Sequence, residues 1–303
     1  MKKYKWLLCG LLAVLLFAAC GEGYTGKNDN RENENTTDAS YFAYDIIGGE
    51  VIITGFSDPL IETIVIPTKI DGYLVTSIGG YAFVGCNSLS SIEIPGSVTS
   101  IGDRAFYSCS SLNSIEIPDS VTNIGDRAFY GTPWLEQKIK ENEIVVVNGI
   151  CIAAREDVVN IRIPDSVTSI GGYAFSGCSS LSSIEIPDSV TSIGHNAFYF
   201  CSSLSSINIP GGITSIGAYV FSGCSSLNSI EIPNSVTSIG RYTFQSCSNL
   251  TSVTFANTSN WVVSTSSTFS STTSLTSTDL SNTSTAATYL TSTYYNYYWK
   301  CTA

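Results

Sequence analysis

Histidine and methionine are almost absent from this chain: one of each in 303 residues, with only 13% of residues charged. A Ser-His-Asp or Cys-His catalytic set needs a histidine base, so His195 alone is open to that role. His195 stands in a column filled elsewhere by Gly80, Asp103, Asp126, Gly172, Ala218 and Arg241. A position that accepts such different side chains reads as solvent-facing, and a lone exposed histidine is more often decoration than a base. Cys-x-x-Cys pairs of the kind that hold zinc do not occur. A glycine-rich phosphate loop is missing too, so no catalytic residue, metal or cofactor is expected.

Basic residues are also scarce, 14 against 25 acids, a formal charge of −11. Such a body repels nucleic acid and anionic lipid headgroups and suits a basic partner. Long apolar runs are missing beyond the first residues, "MKKYKWLLCGLLAVLLFAAC". There Lys2, Lys3 and Lys5 precede an apolar run from Trp6 to Ala18, too short for a comfortable span and suited to a signal peptide. Phe17-Ala18-Ala19-Cys20 resembles a bacterial lipoprotein lipobox, with Phe where Leu or Val is usual. The resemblance implies removal of residues 1–19 and acylation of Cys20, a membrane attachment by lipid anchor only. Residues 20–39 are polar and nearly free of aliphatic side chains, the composition of a flexible tether.

What the chain has in quantity is repetition. Cys86, Cys109, Cys178, Cys201, Cys224 and Cys247 recur every 23 residues or a multiple of that step. Pro95, Pro118, Pro164, Pro187, Pro210 and Pro233 keep the same step, as do Phe83, Phe106, Phe129, Phe175, Phe198, Phe221 and Phe244. A constant period with varied filler is the signature of a solenoid. Ile184-Glu185-Ile186 alternates as a half-buried strand does, and Pro187 ends it because it has no amide to donate. Val190–Ile193 is a second extended piece, with Gly194 as a turn residue after it. Ala197, Phe198, Cys201 and Leu204 suit a short helical turn facing inward. Three such sides bury their apolar edges only by stacking coil on coil. The inward cysteines are then expected as a ladder of buried thiols, although adjacent coils also bring their Cα atoms within disulfide range.

The unit, about L-x-S-I-x-I-P-x-S-V-T-S-I-G-x-x-A-F-x-x-C-S-S, resembles the 23-residue leucine-rich repeats of BspA-like bacterial cell-surface proteins. The resemblance covers about residues 40–303 and implies a mainly β, three-sided solenoid capped at both ends. "GGEVIITGF" with the segment through "KIDGYLV" looks like the family's first, cap-like repeat, where the proline step lengthens to 28. The solenoid is expected over 40–255.

Between Phe129 and Phe175 the step doubles to 46. Asn148-Gly149 between apolar β-branched runs predicts a hairpin, Ile144–Val147 with Ile150–Ala153, after a short helix over Trp134–Ile139. This insert, about 132–155, replaces one coil and keeps phase. After Phe255 the period stops, and 256–303 is rich in Ser and Thr. That composition alone suggests a flexible stalk. Trp261-Val262-Val263 and the helical spacing of Ala286, Ala287, Leu290, Tyr294 and Tyr298, after a cap at Asn282 or Ser284, favour a C-terminal cap of hairpin and helix.

Candidate binding residues come from columns that stacking would create. One strip contains Glu93, Glu116, Arg162, Glu185, Asn208 and Glu231, flanked by Asp119, Asp165 and Asp188. A second contains Tyr81, Arg104, Arg127, Tyr173, Tyr219 and Tyr242. The bland alternative for the first is that glutamates on solvated strands merely block aggregation. The family resemblance implies adhesion: a surface-exposed lipoprotein, in the outer membrane, that binds host extracellular-matrix or cell-surface proteins, or other bacteria. The alternative is a structural, self-associating envelope protein facing the periplasm. Neither reading involves an enzyme.

Overall fold

The computed structural model describes residues 36–302; the expected signal peptide, the expected lipidation site Cys20 and most of the expected tether lie outside them. Within the unit 35–303 the chain winds into stacked three-sided coils.

The first side of most coils is a short parallel strand that buries its central Ile, or Val253 in the last, and the last two strands also bury Ile232 and Phe255. Thr63–Val65, Ser91–Glu93 and Ser114–Glu116 form one sheet. Asn160–Arg162 pairs Ser183–Glu185, and Ser229–Ile232 pairs Ser252–Phe255. The strand repeat therefore makes three separate sheets rather than one unbroken ladder. The insert parts the first two, and Asn208 lies in a coil whose first side forms no strand pair. The second side is a Ser-Ile dipeptide ladder. It begins on the antiparallel pair Phe42–Ile47 and Glu50–Phe56, then runs parallel through Tyr73–Ile78, Ser100–Ile101 and Asn123–Ile124. The five extra residues of the first repeat form a small hairpin, Lys69–Ile70 against Tyr73–Ile78, turning at Asp71 and Gly72.

The third side is a chain of tight turns closed by i→i−3 bonds, such as Ala82 N–H to the Gly79 carbonyl. Its alternate amides point the other way, to the next coil: Tyr81, Phe83 and Gly85 donate to the Asp103, Ala105 and Tyr107 carbonyls. The left-handed residues that make this possible are Tyr81, Arg104, Arg127, Tyr173, Asn196, Tyr219 and Tyr242. The repeated glycine serves otherwise than as a left-handed turn residue. A Cβ on Gly194 would lie 2.3 Å from the Gly172 amide nitrogen, and one on Gly102 2.5 Å from that of Gly80. Glycine is kept there because adjacent coils touch backbone to backbone.

Inside, Phe83, Phe106 and Phe129 stack at centroid separations of 5.2 and 5.5 Å. Phe175, Phe198, Phe221 and Phe244 form a second stack. Trp134 covers Phe129 at 5.0 Å, and the apolar interior divides into two clusters at this level. The insert folds as helix Pro133–Glu141, capped by Thr132, and hairpin Ile144–Val147 with Ile150–Ala154. Its second strand pairs in parallel with Ser169–Ile170, which keeps the next coils in phase.

The last residues are ordered as a cap. Trp261–Ser264 pairs antiparallel with Thr273–Ser274 and with Tyr298–Cys301, and the latter pairs with Ser238–Ile239. Trp261 and Trp299 are buried against Phe255. Asn282 caps helix Thr283–Thr288, with Ala286, Ala287 and Leu290 buried, but Tyr298 belongs to the closing strand rather than the helix.

Candidate binding surface

Stacking brings one residue per coil into register. Val65, Glu93 and Glu116 are direct neighbours across their sheet, and so are Arg162 and Glu185, and Glu231 and Thr254. Glu93, Glu116, Arg162, Glu185, Asn208, Glu231, Asp119, Asp165 and Asp188 are all exposed. Arg162 lies 3.5 Å from Glu185 and 3.8 Å from Asp165, which neutralises the middle of the strip. Glu93 and Glu116 stand side by side with no ion-pair partner among the described residues. Like charges directly opposite on strands are destabilising. The insert separates the Glu93–Glu116 segment from the Arg162–Glu185 segment, so the strip is segmented.

The second strip is aromatic and cationic. The Arg104 guanidinium donates to the Tyr81 hydroxyl and lies over its ring. Arg127 stacks 3.6 Å from the centroid of Tyr173. Tyr219 and Tyr242 stack at 4.8 Å, and Arg241 lies over Tyr242. Burial raises the pKa of Tyr219, and Tyr242 beside it adds to that. Every member of this strip has a left-handed backbone, which costs a non-glycine residue about 1–2 kcal/mol. Three positions further on, Tyr107 and Tyr130 stack at 5.4 Å, and Tyr130 is 54% exposed. Phe200, 51% exposed, lies farther along the same side. The sequence reading missed these three, although for Tyr107 and Tyr130 an aromatic at a fixed offset of three from the strip was visible.

His195 is exposed, and its Nδ1 accepts the Ala218 amide at 3.0 Å. Asp103 does the same for the Asp126 amide at 2.8 Å. The variable column therefore tends coil-to-coil hydrogen bonds. Asp126 is half-buried, and burial, with the negative charge of Asp103 second, holds its pKa above the usual carboxylate range. The repeat cysteines are all buried, and Cys109, Cys178, Cys201, Cys224 and Cys247 are free thiols. Cys109, Cys201, Cys224 and Cys247 each donate to the carbonyl of a Phe in the preceding coil. Burial pushes the Cys109, Cys178 and Cys247 thiols up to about 12 and drives Cys201 and Cys224 upward as well. Thiols so held are poor nucleophiles and poor metal ligands. Cys151 is buried in the insert, and Cys301 lies in the cap. Among the described residues, no three His, Cys, Asp or Glu side chains gather as a metal site, and no helix is long and apolar enough to cross a membrane.

These coils are the decisive observation, and they match the BspA type leucine-rich repeat region, in six copies, over residues 54–182 and 151–276. The chain belongs to the BspA-type leucine-rich repeat family. It is similar to the leucine-rich repeat protein of T. pallidum, at 30% identity over 71% of this chain and 91% of that one, TM-score 0.39. It is also similar to a leucine-rich cell surface protein of Faecalibacterium prausnitzii, at 24% identity, 74% and 77% coverage, TM-score 0.36. The pneumococcal vaccine antigen PcpA matches at 18% identity, 74% and 75% coverage, TM-score 0.41. No curated protein matches the chain.

Proposed function

We propose that this BspA-type protein is an adhesin, anchored in the outer membrane through acylated Cys20, that binds matrix or cell-surface proteins through the two strips. The observation that carries the reading is the pair Glu93 and Glu116. They are exposed, in register and, among the described residues, without a counter-cation, a repulsion that a basic partner surface relieves. The strained aromatic column supports it: glycine would relax those turns, yet Tyr and Arg are found there.

The test is binding of purified residues 36–303 to immobilised matrix proteins and to cells. Changing Glu93 and Glu116 to Lys is expected to weaken binding about tenfold and to flatten its dependence on salt. Binding that is absent across a broad panel, or indifferent to both the substitutions and salt, would falsify the reading. Protease treatment of intact cells separates this location from a periplasmic, self-associating role, since a periplasmic protein survives it. Loss of membrane association in Cys20→Ser tests the anchor.

A further inference from the structure

At the level of the insert, the third side of the solenoid is missing one coil. Between every other pair of neighbouring repeat coils that side is closed by the same three bonds. Arg104, Phe106 and Ser108 donate to the Asp126, Ala128 and Tyr130 carbonyls. After the insert, Tyr173, Phe175 and Gly177 donate to the His195, Ala197 and Tyr199 carbonyls. Between these coils the pattern stops. Among the described residues, the Arg127, Phe129 and Gly131 amides find no acceptor, and the Gly172, Ala174 and Ser176 carbonyls receive no donor. Phe129 and Ala174 are nearly fully buried, where an unpaired backbone group is costly.

These two rows are the walls of a cleft of about 480 Å³. Phe129 and Tyr130 are on one wall, Ala174 and Ser176 on the other, and Ile152 and Ala154 are in its lining. The hairpin continues the second side through this level and the helix packs beside it, but neither supplies a third side. The Arg127 guanidinium stacked on Tyr173 closes one end.

We propose that this cleft binds a short peptide segment of a partner protein, which takes the place of the missing third side. The polarity of the walls selects a peptide. One wall offers only donors and the other only acceptors, at alternate residues, and a polypeptide backbone answers both at once. A carboxylate or phosphate would satisfy the donor wall and leave the carbonyls bare. The cleft is large and apolar enough to take one aromatic side chain of that segment, beside Phe129 and Ile152. The cleft shares Arg127 and Tyr173, at its closed end, with the aromatic strip and no residue with the acidic strip that carries the adhesin reading, which stands or falls without it.

The probe is a blocked heptapeptide copying residues 171–177, Gly-Gly-Tyr-Ala-Phe-Ser-Gly, which carries the third-side sequence itself. Added to the full chain, it is expected to shift the Phe129 and Gly131 amide signals downfield in NMR spectra. The same peptide, N-methylated at its second aromatic and at its last glycine, is expected to bind at least about tenfold more weakly. Ile152→Trp, which fills the cleft from its lining, is expected to abolish binding while circular dichroism stays unchanged. Should Ile152→Trp misfold, Ala154→Leu is the second variant for the same readout. Equal binding of the methylated peptide, or binding without movement of the two amides, overturns the proposal. So does the absence of binding at millimolar peptide. Glu93→Lys with Glu116→Lys leaves peptide binding intact, which separates this site from the acidic strip.

Discussion

Asp126 and Gly172 show how tightly single residues are constrained where the insert meets the next coil. A Cβ on Gly172 would fall 1.8 Å from Asp126 Oδ1, so that carboxylate fills the space a side chain would take. The pKa of Asp126 is raised, burial first and Asp103 second. The unfolded chain therefore gives up this proton at a lower pH than the folded one, so its contribution to stability falls as pH rises through the carboxylate range. Asp126→Asn is expected to raise the melting temperature at neutral pH by a few degrees. The gain should vanish near pH 3, where both states are protonated. An unchanged or lowered neutral melting temperature contradicts this cause. Gly194→Ala is a second test, because its Cβ meets backbone 2.3 Å away. A loss of about 1–3 kcal/mol in urea unfolding is expected. The glycine was legible in the sequence as a turn marker, but its reason was not. Close approach of two backbones is a property of the stack.

Among the elements, the cysteine ladder carries its own signature. Its thiols are buried, and those of Cys109, Cys178 and Cys247 lie near 12. In the unfolded chain they titrate near 8.5. The folded state thus holds protons that the unfolded state has lost, and stability declines as pH rises from about 8.5 towards 12. Urea midpoints should stay level from pH 7 to about 8 and then fall steadily to about pH 10.5, and Cys201→Ala should reduce that slope. Iodoacetamide should leave these thiols unmodified until denaturant is added; rapid alkylation of the native chain would show the ladder to be open. The thiol ladder followed from the 23-residue period, since equal spacing places equal residues in one column. The insert was legible in part: Asn148-Gly149 turns the hairpin as expected. What its Asn148 Nδ2 does, donating to the Pro118 and Val121 carbonyls at 2.9 Å, depends on which coil lies beneath.

At the scale of the molecule, the C-terminal segment closes the stack. Trp261 and Trp299 pack on Phe255, and Tyr298–Cys301 adds a strand to the last ladder. Truncation after Ala256 uncovers Phe255 and Val253 and leaves that ladder with an open edge. A terminal coil without a polar cover associates. The truncated chain is therefore expected to form oligomers by light scattering, whereas the longer chain is monodisperse. A monodisperse truncation of unchanged melting temperature would mean the cap is dispensable.

The sequence by itself determined the period, and with it the coil, the inward Phe, Cys and Leu, and the in-phase return after the insert. These are consequences of local spacing, because a residue repeated at one step must recur at one place in a stack. Only the tertiary structure decided which columns are continuous. It parted the acidic strip into segments, stacked Arg127 on Tyr173, and left Phe129 and Ala174 with backbone groups facing a gap. Those outcomes depend on how a coil meets its neighbour across the insert, and no spacing within the chain encodes what stands opposite a missing side.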